Sequence, residues 1–166
     1  VPRQRLLELA RVRPEVLQSP AGRLSFIDFN LLAGAALTHC GEPAFGLLLG
    51  QRLNVSTHGI LGYAVLSSAN LERAIDFALK YYRVLGLAFD LERIEEHGRA
   101  QLRASESIPL GPMQRFASEG LMTSLHTIAR FLVGEPLQGV EVGFAFSAPA
   151  YAERYAEVFG CAVAFD

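Results

Sequence analysis

The chain has 166 residues, 51% hydrophobic and 19% charged, a balance that excludes disorder through poor burial and supplies a core without disulfides. Fifteen Lys and Arg against 17 Asp and Glu leave a formal net charge of -2, so the chain lacks the basic excess of a domain that grips DNA by itself. Cys40 and Cys161 stand far apart without Cys/His ligand spacing, which leaves a zinc site unsupported; they read as ordinary buried thiols in a reducing compartment, with a disulfide as the alternative.

From the N-terminus, Val1 to Val16 alternates Arg with Leu and has no continuous apolar segment, so it does not read as a signal peptide. Residues 1–28 are expected to form an arm and a helix. The longest apolar runs, 31–37 and 44–49, are broken by glycine and too short to span a bilayer. The expected location is the cytoplasm. Asp28 suits the N-cap of a helix over 29–40 that Gly41 closes. Pro43 suits the first turn of a second helix, Ala44 to Leu53, with Phe45, Leu48, Leu49 and Leu53 turned inward. A third helix is predicted over His58 to Leu66, capped by Ser56 or Thr57. Asn70 caps a fourth, in which Leu71, Ile75, Ala78 and Tyr82 recur at helical spacing opposite Glu72, Asp76, Lys80 and Arg83.

After Gly86 the period changes from helical to alternating. Leu87, Phe89 and Leu91 form one run and Ala100, Leu102 and Ala104 another, joined by Glu96-His97-Gly98-Arg99 as a turn, which predicts a β-hairpin. The prolines of 108–112 make a connector. Pro112 opens a long helix to Val133, ended by Gly134 and Pro136. Val140, Val142, Phe144 and Phe146 suggest a strand, Pro149 to Phe159 a helix stopped by Gly160, and Cys161 to Phe165 a last strand. The expected fold is α+β, with helices packed on a small antiparallel sheet in a single domain, 1–166.

No Walker loop, Rossmann glycine fingerprint, HExxH or GxSxG occurs, and no catalytic, metal or cofactor set emerges. Adjacent His39 and Cys40 point about 100° apart on a helix and cannot form a nucleophile pair locally. Ser56-Thr57-His58-Gly59 reads either as a ligand-facing loop or as simple helix capping. On the long helix, Ala117, Leu121, Leu125, Ile128 and Leu132 make the expected core stripe. Beside it, Arg115, Glu119, Met122, Thr123, His126 and Arg130 mix polar with apolar character, which suits either a partly enclosed pocket or a solvent face. A pocket is therefore expected between this helix and the sheet, closed by the Ser56-Thr57-His58 loop and the end of the fourth helix. Its candidate ligand-binding residues are His58, Tyr63, Tyr82, Glu119, Thr123, His126 and Arg130. Glu119 would meet an ammonium group, and Arg130 or the helix start near His58 a carboxylate, which suits an amino acid better than a sugar. The high apolar content, with Leu6, Leu7 and Leu9 near the N-terminus, suggests a homodimer as a second role.

The run from Gly50 to Leu71, GQRLNVSTHGILGYAVLSSANL, resembles the arabinose-binding-type N-terminal effector domain of AraC/XylS-family bacterial transcription regulators, and fits the ornithine-utilisation-regulator-like branch best. Ala74 to Tyr82, Pro109-Leu110-Gly111-Pro112, Arg130 to Leu137 and Tyr155 to Phe165 are also similar and occur in the family's order. The resemblance implies a sensor that binds a small effector, and DNA contact only through helix-turn-helix units expected after residue 166. From the short apolar runs, no membrane partner is expected. The alternatives are a ligand-free dimerisation module and an unrecognised small enzyme.

Overall fold

In a computed structural model, residues 1–19, 22–85 and 88–166 are described. Gly86 and Leu87, read as a helix stop and a strand start, lie outside them, as does the side chain of Arg83. The chain divides into two compact units, Val1–Phe45 and Gly46–Asp166.

The first unit holds α1 (Arg3–Leu9), α2 (Pro14–Gln18) and α3 (Phe26–His39). Leu7, Ala10 and Val12 form its buried centre, with Leu24 and Leu32 packed against it. Ser25, not Asp28, caps α3. Its Oγ accepts the Asp28 N–H at 3.0 Å and donates to Asp28 Oδ2 at 2.7 Å, so Asp28 sits inside the first turn, where its charge favours the helix start.

The second unit takes in α4 (Phe45–Arg52) from Gly46 onward, then α5 (Gly59–Leu66) and α6 (Leu71–Leu85). The buried side of α4 is Gly46, Leu47 and Gly50, while Phe45, Leu48, Leu49 and Leu53 are only partly buried. The expected inner face is thus rotated. Its cause is backbone-close packing at the two glycines, which a row of larger residues would hold off. Ahead of α5, a 3-10 turn spans Val55–His58. Asn54 Oδ1 accepts the Thr57 N–H at 3.3 Å, and the Ser56 and Thr57 hydroxyls donate to the same oxygen. Asn54 therefore caps the 3-10 turn, and α5 itself follows His58 with no side-chain cap from Ser56 or Thr57. Asn70 does cap α6, accepting the Arg73 N–H at 2.9 Å.

The hairpin forms as the alternation predicts. Strands β1 (Phe89–Glu96) and β2 (Arg99–Glu106) pair antiparallel from Phe89↔Glu106 to Glu96↔Arg99. Both turn residues, His97 (φ 52°) and Gly98 (φ 75°), are left-handed, the backbone that a two-residue hairpin turn requires. Helix α7 (Gln114–Val133) ends at left-handed Gly134. Strand β3 is confined to Val142–Phe144 and pairs with β4 (Val163–Phe165) through α8 (Glu153–Phe159). This pairing is parallel, since the crossover through α8 returns the chain in the same direction. The class is α+β, but the expected antiparallel sheet is the hairpin alone. Among the described residues, no helix is long and apolar enough to cross a membrane.

Candidate functional site

The buried face of α7 is not the apolar stripe. Ala117, Leu121, Leu125, Ile128 and Leu132 are only partly buried, whereas Phe116, Glu119, Gly120, Thr123, Ser124 and His126 are buried. The reason is helix-helix contact at glycine. A Cβ on Gly46 would collide with Glu119 Oε2 and lie 2.7 Å from the Phe116 carbonyl oxygen. A Cβ on Gly50 would lie 2.6 Å from Thr123 Cβ and 2.7 Å from the Gly120 oxygen. The α4 backbone therefore rests directly on the polar row of α7. Ser124 Oγ adds a bond to the Leu53 carbonyl at 3.3 Å.

Glu119 is the centre of this face and is 1% exposed. Its Oε1 accepts the hydroxyls of Tyr151 at 2.7 Å and Tyr155 at 2.5 Å, and the Gly46 N–H also supports it. Burial raises the Glu119 carboxyl above its ordinary range, against the opposing pull of the two tyrosines, Arg115 and Gly46. The tyrosines respond in turn. Burial and the Glu119 acceptor push Tyr151 up to about 12 and Tyr155 higher still. Tyr155 also meets Phe144 and Phe165 edge-on, with centroids 5.1 and 5.0 Å away, so the network joins α7 to α8 and to both strands of the parallel pair.

Thr123 and His126 continue the row at the spacings that share a helix face. Thr123 is wholly buried and its Oγ1 lacks a hydrogen-bond partner. The His126 ring meets Phe159 edge-on at 5.2 Å. Burial and the nearby Arg130 charge lower its affinity for a proton. Arg130 itself is exposed at the end of α7.

The remaining candidates stand on other elements. His58 ends the 3-10 turn, with Nε2 buried and unpartnered and its proton affinity lowered by burial. Tyr63 on α5 is 64% exposed. Tyr82 on α6 is partly buried, which raises its hydroxyl. The structure thus gathers Glu119, Thr123 and His126 into one buried row and leaves Tyr63 and Arg130 at the surface. Sequence reasoning missed Tyr151 and Tyr155. Their spacing of four on the segment expected as a helix, 149–159, is a visible signal, although α8 starts only at Glu153 and Tyr151 lies in the turn before it; nothing local indicates a carboxylate opposite them. Among the described residues, no group of three or more His, Cys, Asp or Glu could hold a metal.

The chain belongs to the family described as the arabinose-binding domain of AraC transcription regulators, N-terminal, which matches residues 1–166. That family is regulatory, not enzymatic. The ornithine utilization regulator of Pseudomonas aeruginosa is 69% identical over 166 residues, covering 100% of this chain and 49% of that protein. The chain spans about half the length of this curated relative.

Proposed function

We infer that the chain is the effector-sensing domain of a bacterial AraC-family regulator, acting in the cytoplasm and controlling DNA binding by a domain outside this sequence. The observation that carries this reading is the family match along residues 1–166. The effector is a small, amino-acid-like metabolite. The relative's name makes ornithine the first probe, and a buried carboxylate suits its ammonium groups.

The site is assigned to His58, Tyr63, Tyr82, Glu119, Thr123, His126 and Arg130, centred on the α7 row. Thr123 Oγ1 and His58 Nε2 have unused hydrogen-bonding capacity. An ammonium that engages Glu119 competes with Tyr151 and Tyr155 for the same oxygen. Such competition loosens α8 and β4, which gives effector binding a structural readout. A homodimer is a second role. Leu7 is taken up by the core of the first unit, whereas Leu9 is 37% exposed.

Titration calorimetry with ornithine and a panel of amino acids tests the reading. Saturable binding is expected, with Glu119→Gln weakening it by more than about tenfold while the chain stays folded, since loss of a charged partner costs about 2–5 kcal/mol. Normal binding by folded Glu119→Gln removes the site assignment and leaves the sensor reading. Failure of every amino acid removes the effector class. It would favour the alternative of a ligand-free dimerisation module; the direct packing of α4 on Glu119 and Thr123 suits its ligand-free part.

A further inference from the structure

Strand β2 has β1 as its one strand neighbour among the described residues, and six of its eight residues are exposed. Which backbone groups face outward follows from the register. Ser107 N–H donates to the Ala88 carbonyl at 3.1 Å, which makes 88↔107 a hydrogen-bonded pair. Pairing alternates along an antiparallel ladder, so Arg99, Gln101, Arg103 and Ser105 bond to β1. Ala100, Leu102, Ala104 and Glu106 aim their N–H and C=O groups away from it. The edge contains no proline or lysine. A two-stranded ribbon is marginal by itself, and such an edge is a template for another strand.

We propose that this edge pairs antiparallel with β2 of a second copy of the chain, forming a continuous four-stranded sheet with Leu102 opposite Leu102 on the two-fold axis. The register selects the partner. A two-fold axis perpendicular to the sheet keeps side chains on their own faces, so slips occur in steps that preserve parity. With Leu102 self-paired, Ala100 meets Ala104 of the second copy on the α6 side. On the solvent side, Gln101 meets Arg103 and Arg99 meets Ser105, so no like charges oppose. The neighbouring registers fail: one sets Arg103 against Arg103, and the other sets Arg99 against Arg103. The α6 side of β2 is identified by Arg93, the β1 partner of Leu102, which bonds Glu72 and Asp76 of α6.

This inference names the surface of the homodimer proposed above. A dimer formed elsewhere would keep that reading and overturn this one. Sedimentation of the 166-residue chain, up to about 100 µM, the range in which a small interface associates, is expected to show dimer. Gln101→Glu places attraction opposite Arg103 twice and should tighten the dimer about three- to tenfold. Gln101→Arg places repulsion there and should weaken it by a similar factor. Leu102→Cys, with Cys40 and Cys161 replaced by Ser, should oxidise to a covalent dimer, because Cα atoms of such a pair stand about 5.5 Å apart. A dimer unmoved by both Gln101 variants overturns the proposal, as does failure of Leu102→Cys to cross-link. A monomer throughout also overturns it and leaves the edge to an extended segment of another protein.

Discussion

Glu119 on α7 and Arg93 on β1 each gather several polar partners, one inside the protein and one at its surface. Glu119 is 1% exposed and held by two tyrosine hydroxyls. Arg93 reaches Glu72 at 3.0 Å, Asp76 at 2.5 Å and also Glu95, all three carboxylates being substantially exposed. The count of partners is similar, but the alternative available to each group differs. Water can replace any carboxylate around Arg93, and salt screens what remains. A tyrosine hydroxyl stranded beside a missing Glu119 has far less access to water, so its loss carries a desolvation cost. Burial, rather than the number of bonds, decides which hub the fold depends on.

Removing the buried hub should have the largest effect. Glu119→Ala leaves a cavity and frees the Tyr151 and Tyr155 hydroxyls, at a cost of about 3–5 kcal/mol. Thermal unfolding followed by circular dichroism should register a fall in Tm of roughly 10 °C for a chain of this size. A fall of only a degree or two would mean that Glu119 contributes no more than the surface hub.

Next in size is Gly50→Ala, which presses a methyl group against Thr123 Cβ and the Gly120 carbonyl. Overpacking of this kind costs about 1–3 kcal/mol. Gly34→Ala on α3, where a Cβ meets nothing within 4 Å, supplies the control. It should be neutral or slightly stabilising. Equal Tm values for the two variants would contradict the close α4–α7 contact.

A smaller effect is expected from acid. Burial holds His58 and His126 below the ordinary 6.5. The unfolded chain therefore binds more protons than the folded one as pH falls below 6.5, and stability drops with it. Glu119, raised above its ordinary 4.5, acts with the opposite sign. It stabilises most at low pH and less as pH rises through its raised value. Melting between pH 7 and pH 5 should show a decline that His126→Gln flattens; an unchanged slope would remove His126 as its source.

The smallest effect belongs to Arg93→Gln. Its Tm change should be well below that of Glu119→Ala and should fade as salt is raised. A large, salt-independent loss would erase the contrast between the two hubs.

By itself the sequence determined what local geometry controls. His97-Gly98 sets the hairpin turn and its register because both positions need left-handed backbone. Asn70 starts α6, while Gly134 and Gly160 stop α7 and α8. The ordered glycine patterns also carried the family resemblance. The tertiary structure alone decided which side of α7 is buried. Hydropathy favoured the leucine stripe, but Gly46 and Gly50, some seventy positions earlier, bring the α4 backbone directly against Phe116, Glu119, Gly120, Thr123 and Ser124. It likewise decided that Glu119 bonds Tyr151 and Tyr155, and that β3 and β4 run parallel. These features depend on contacts between distant segments, and no periodicity within one segment encodes the neighbour that will cover it.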